Sequence, residues 1–240
     1  MPDCAFCPHS GKLSAEHIVA KWMRDLFPHI TQAWYGKHVF RSSTLDWKAS
    51  VVCENCNNGW MSEIEAQHAK PALPPLILGE DGFPISESMA RSIALYAFKT
   101  AVVLDHAHRD SPPFFAVNDR YAFRERLVIP SNVGIWICPY PTNRGGGHFK
   151  TAYAREKHLT SPRHLQLYAC TFALGFLAVQ ILAVSTQLET LIQPGTTFKH
   201  LAIPIWPTVP VNQFWRKDRG LSGIDEFVAF AHLWDTIIAL

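Results

Sequence analysis

Four cysteines in two C-x-x-C pairs, Cys4/Cys7 and Cys53/Cys56, are the residues of this 240-residue chain whose type and spacing point first to chemistry. A two-residue gap lets both sulfurs of a pair turn onto one tetrahedral ion at about 2.3 Å, and zinc is the expected occupant. Four thiolates leave no position for water, so such an ion is structural. It would stitch the backbone at residue 4 to the backbone at residue 53, the two pairs being separated by 45 residues. A second set of polar groups flanks the pairs: Glu16 and His17 follow the first, and Asn57 directly follows the second. A carboxylate, an imidazole and a carboxamide oxygen suit one hard divalent ion plus one general base, the minimum set for moving a water onto a phosphodiester. Clasping both pairs is expected to bring the three within reach of one another. In a regular strand Glu16 and His17 would point to opposite faces, so the set also requires a turn or a distorted strand end there.

The pieces CAFC (4–7), AEHIVAKW (15–22) and VVCENCNNGWMSEIE (51–65) resemble, in order and adjacency, the HNH endonucleases in their zinc-stabilised four-cysteine form. The CNNGWMS run is similar to that of a set of bacterial and phage HNH-type proteins with a further C-terminal domain. The resemblance covers roughly a quarter of the chain and implies a ββα-metal fold. At matching positions it implies His17 as the general base, Glu16 as an acidic ligand of a catalytic Mg2+ or Mn2+, and Asn57 as the final ligand. The four cysteines would hold structural Zn2+. The partner would be a nucleic acid, with DNA expected, cut to leave 5′ phosphates. One departure stands out: the family's middle Asn, which orients the base, has no counterpart, because no Asn occurs between residues 18 and 52. Lys48 and Ser50 occupy that neighbourhood. The alternative function is a catalytically degenerate zinc module that binds nucleic acid or protein.

Blander readings stand beside these. His17 can be a surface histidine, and Asn57 and Asn58 before Gly59 can be the turn and cap of a helix over 60–68. Trp60, Met61 and Ile64 then form its apolar side, with His68 facing solvent. Lys12, Lys21, Arg24, Lys37, Arg41 and Lys48 are candidates for a basic rim around His17, although scattered cations usually serve solubility. Arg144 and the three glycines after it read as a hairpin tip, and His106 and His108 as cations favoured at a helix end. Cys138 and Cys170 stand in apolar runs and read as core filling.

The elements that must position these residues follow from pattern. Hydrophobic content of 48% with 18% charge excludes disorder as the main state and suits one large domain or two modest ones. Net charge is +2, and the first 70 residues hold seven Lys/Arg against seven Asp/Glu, so nucleic-acid contact must come from a local patch. The amino terminus lacks an apolar h-region, from which a cytoplasmic protein with free thiols is expected. The uncharged stretch 165–187 is long enough to weigh as a membrane span, but its Gln, Thr and Ser residues and Gly175 favour a pair of buried strands and no membrane partner. The expected organisation is α+β: a zinc-clasped module over 1–69, the Pro-rich segment Lys70 to Pro84 as boundary, and an α+β domain with a mostly antiparallel sheet over 84–240. Within the latter, Ser86 opens a helix to about His108, Val133 to Pro139 and His148 to Tyr153 form a hairpin, and 223–240 closes the chain as an apolar helix. The Pro-containing segment from Ile203 cannot be an interior strand.

Overall fold

Gly175, at φ 54°, turns the uncharged stretch back on itself, and the two arms pair antiparallel residue for residue from Gln166↔Ser185 to Leu174↔Leu177. Glycine carries this left-handed backbone without the Cβ clash other residues meet. The stretch is therefore a buried hairpin, and no helix among the described residues is long and apolar enough to cross a membrane. The structure, a computed structural model, describes residues 3–26, 33–35, 38–40, 45–108, 112–142, 147–155, 166–185, 190–192, 198–209, 212–232 and 237–239.

The strands are β1 (Ser14–His17), β2 (Ala33–Tyr35), β3 (His38–Phe40), β4 (Lys48–Val52), β5 (Phe83–Pro84), β6 (Val133–Pro139), β7 (Gly147–Arg155), β8 (Gln166–Leu174), β9 (Leu177–Ser185), β10 (Thr190–Ile192), β11 (Ile203–Trp206), β12 (Phe214–Trp215) and β13 (Ile237–Ala239). Seven of them form one sheet in the order β11-β6-β9-β8-β7-β2-β3. All its pairings are antiparallel except β2 with β7. The fold is thus mixed α+β. Both sheet faces are covered, which is why its central strands read as continuous apolar runs without alternation. Ile135, Ile137, Cys170 and Phe172 belong to the core that includes the helix Glu87–Ala107. Trp136, Cys138, Ala169 and Ala173 share the opposite core with Phe227 and Phe230 of the helix Ile224–His232. Both lone cysteines are buried core residues.

Several sequence expectations change. β6 and β7 do not form a hairpin: β6 pairs with β9 and β11, and β7 with β8, so the long hairpin is inserted between them. Strand propensity marks each segment, but the choice of partner depends on a nine-residue register supplied from elsewhere. The Pro-rich segment is not a loose connection. It carries the helical run that follows the kink at Gly59 on to Leu78: Pro74 and Pro75 open the segment Pro74–Leu78 at first-turn positions that need no N–H, and Leu73, Leu76 and Ile77 are buried. The closing helix is described over Ile224–His232, and Ile237–Ala239 is a strand paired with β10, so 223–240 is not one helix. Other expectations hold. A short helical piece from Glu54, with Cys53 as its extended N-cap and Asn57 as its C-cap, precedes the kink at Gly59 (φ −93°, ψ −118°), so the turn expected before Gly59 is present and the longer helix begins after it, as expected. Ser86 caps the long helix by accepting the Met89 N–H at 3.1 Å, and β11 sits at the sheet edge. The residues around Arg144 (143–146), with Lys37 and Arg41, lie outside the described residues.

One apolar core runs from Cys4 to Trp215 and joins the N-terminal segment to the long helix and the sheet. The Phe6 ring meets Trp60 edge-on at 4.9 Å, Trp60 meets Phe123 at 5.6 Å, and Phe123 meets Phe98 of the long helix at 4.8 Å. Arg120, one turn from Phe123, donates to the Ala5 carbonyl between the first two cysteines and to the Phe115 carbonyl. A peptide oxygen that would otherwise be buried without a partner is thereby satisfied.

Candidate functional site

The turn Cys4 to Cys7 is anchored by the Cys4 N–H on the His9 carbonyl at 2.9 Å and by the Ala5 N–H on the Val51 carbonyl at 2.8 Å, which lays it against β4. The second pair sits where β4 passes into the helical run, and there the Cys53 N–H donates to Cys4 Sγ at 3.2 Å. All four sulfurs lie within 4.8 Å of one another, and all four residues are buried. Among the described residues this is the one group of three or more Cys, His, Asp or Glu side chains that could hold a metal ion. The Cys56 thiol, hydrogen bonded to Cys4, pulls the Cys4 pKa down to about 4 against the effect of burial, and the Phe6 and Cys53 N–H groups add to this. The same contact, with burial, pushes Cys56 upward. A buried sulfur kept anionic by neighbouring donors is the condition a thiolate ligand needs. The chemistry of the donor set therefore fits a closed structural site for an ion such as zinc.

β1 and β4 form an antiparallel ribbon with Glu16 opposite Ala49 and His17 opposite Lys48; an irregularity lies between Ser14 and Glu16. It leaves the alternation at 16 and 17 intact, so the two neighbours part. His17, about a quarter exposed, places Nε2 3.3 Å from Asp46 Oδ1. Arg24, from the short helix Lys21–Arg24, and Lys48 reach the same carboxylate at 3.0 and 3.1 Å. Burial first, then the positive charges of Arg24 and Lys48, hold the His17 pKa below its ordinary value, outweighing the opposite pull of Asp46. His17 is therefore a neutral imidazole near neutral pH. Lys48, chiefly by hydrogen bonding, and Arg24 in turn keep Asp46 below its usual range.

Glu16 points the other way. Its carboxylate is 2.7 Å from the ammonium of Lys99, on the long helix, and the same ammonium lies 2.8 Å from Glu65. Burial opposes the charge on Lys99, yet the two carboxylates outweigh it and raise its pKa above the ordinary value. Asn57 donates through Nδ2 to Ser14 Oγ at 2.8 Å. The pocket expected to gather Glu16, His17 and Asn57 is therefore divided, with the acid on the core side of the ribbon and the base on the other. Glu16 is only 4% exposed and already faces a cation, so it does not fit a divalent ion that must keep several waters.

Asp46 was missed in the sequence. Its signal, a lone acid two residues before β4, is visible only once the ribbon register is known. Of the expected basic rim, Arg24 and Lys48 adjoin His17, while Lys12 and Lys21 are exposed. Met61 and Ile64 are core residues as expected. His68 is bound to Ser92 Oγ at 3.2 Å instead of facing solvent. His106 contacts the Val102 carbonyl, and burial, with the nearby Arg120 charge, pushes it down to about 4, so it is no helix-end cation. Comparison of the chain with known protein families, curated proteins and solved structures returns no match.

Proposed function

We propose that this protein acts on nucleic acid as an HNH-type endonuclease, hydrolysing phosphodiester bonds at the surface that carries His17. The observation that supports the reading is the cluster of His17, Asp46, Arg24 and Lys48, a neutral imidazole fixed by a carboxylate between two cations. In this reading the β1–β4 ribbon and the helical run after it are the ββα unit, and the four-cysteine ion staples it. Arg24 and Lys48 receive the phosphate, since guanidinium and ammonium groups bind its oxygens whatever the base sequence. Asp46 accepts a hydrogen bond from His17 Nε2–H, which keeps the proton on Nε2 and leaves Nδ1 as the basic nitrogen. His17 Nδ1 removes a proton from a water, the water oxygen bonds to phosphorus, the bond from phosphorus to the 3′ oxygen breaks, a solvent water protonates that departing oxygen, and the imidazolium returns its proton to solvent. The two cations stabilise the charge that develops on the non-bridging oxygens. Asp46 takes the orienting role that the family gives to its middle Asn.

A second reading, a zinc module that binds nucleic acid or protein without cutting, is favoured by the contact of Lys99 with Glu16. Plasmid nicking and gel-shift binding, measured together for wild type and His17→Ala, separate the two. Cleavage by wild type that disappears in the variant while binding persists supports hydrolysis by His17. Binding with no cleavage by either protein supports the second reading, and equal cleavage by both removes His17 from the reaction.

A further inference from the structure

Lys99 is an anomaly by position. It lies in the middle of the long helix Glu87–Ala107, among buried Tyr96, Ala97, Phe98, Thr100 and Ala101, and is itself 1% exposed. A lysine buried there without partners would cost several kcal/mol in desolvation or give up its proton. Glu16 comes to it from β1 at 2.7 Å and Glu65 from the helical run at 2.8 Å, and the Tyr96 ring lies 5.1 Å away. Two carboxylates from separate elements thus converge on one point, and a cation of the chain occupies that point. Glu16 is the residue to which the family resemblance assigns a divalent ion.

We propose that the Lys99 ammonium is a built-in replacement for that ion: it fills the cation position between Glu16 and Glu65 and closes the acidic pair to Mg2+ and Mn2+. The inference deepens the proposed function, on whose family resemblance the expected ion rests, and makes any chemistry at His17 independent of a metal at Glu16. Lys99 is a positioning residue. It holds Glu16 and joins β1 to the long helix, and it does not touch the substrate. The ammonium contacts both carboxylates directly, and Glu65, at 22% side-chain exposure, gives the path by which an ion could reach the pair once the ammonium is gone. Removing the ammonium would leave two like charges that a divalent ion could neutralise.

Manganese binding to the zinc-loaded full chain, followed by electron paramagnetic resonance in the absence of nucleic acid, tests this. Wild type is expected to bind no Mn2+ at this pair. Lys99→Ala is expected to gain a site at least ~10-fold tighter than any in wild type, Lys99→Arg to gain none, and Glu16→Gln in the Lys99→Ala background to lose the gained site. A folded Lys99→Ala protein that gains no site overturns the proposal. If Lys99→Ala does not fold, wild type decides alone: Mn2+ binding that Glu16→Gln abolishes overturns the proposal, and its absence supports it. Because the ion is read without substrate, a failure to bind or cut nucleic acid is a separate result.

Discussion

Asp46 Oδ1 lies 3.3 Å from His17 Nε2, with Arg24 and Lys48 on the same carboxylate, so one acid 29 residues after the histidine both orients an imidazole and gathers two cations around it. The ribbon register makes this possible: His17 is opposite Lys48, which brings the start of β4 beside the end of β1.

His17→Ala should lower the cleavage rate by about 10²–10⁴-fold, the usual contribution of a positioned general base, while nucleic-acid affinity changes little. Asp46→Asn should cause a smaller loss, because an amide can still accept from Nε2 but no longer stabilises the imidazolium. Rates from single-turnover cleavage and affinities from titration check both. A variant that loses affinity and rate together would indicate a binding role for His17.

The acid limb of the pH profile should report the depressed His17 pKa. Activity requires the neutral imidazole, so it should rise with pH through a midpoint below the ordinary histidine value of 6.5 and level off at neutral pH. Lys48→Ala removes one of the charges that disfavour protonation, so the midpoint should move up toward 6.5. A downward shift would contradict the assignment.

Arg24 and Lys48 should act on phosphate and not on base identity. Replacing either by Ala should reduce the slope of log affinity against log salt by about 0.9 for duplex DNA, one phosphate contact each, and to the same extent for unrelated sequences. Titrations at a series of salt concentrations measure this. An effect confined to one sequence would point to base contact instead.

Cys53→Ser should abolish stoichiometric metal and lower the melting temperature, since structural zinc sites contribute apparent free energies of about 10–16 kcal/mol in small zinc modules. Cys138→Ala should retain the metal, because Cys138 packs in the opposite core. Phe123→Ala, which leaves all four cysteines in place, should cost about 3–5 kcal/mol and speed zinc release to a chelator, as it removes the ring packed on Phe6 and Trp60. Elemental analysis and calorimetry check all three variants. Unchanged melting of Cys53→Ser would dissociate the cysteine cluster from folding.

Local signals in the sequence were read well where the information is local. The C-x-x-C spacing gave the sulfur cluster, Ser86 marked the start of the long helix, and Gly175 with the polar residues in the uncharged stretch marked a hairpin. What escaped was partner choice across distance. Nothing near His17 announces Asp46, nothing near Glu16 announces Lys99, and a lysine inside a helical period reads as a surface residue until two acids arrive from elsewhere. The prolines of 70–84 read as a break because their effect depends on helix position, and Pro74 and Pro75, at first-turn positions, open a further helical segment.

The stack of rings from Phe6 through Trp60 and Phe123 to Phe98 has a consequence for how the chain comes apart. The four-cysteine cluster at one end and the interior of the long helix at the other share a single line of aromatic contacts, so an ion held by the cysteines would not sit on a detachable arm. Starvation for the metal during synthesis should yield a molecule whose sheet half is also poorly consolidated and open to proteases, so that its survival gauges the zinc on hand when it was made.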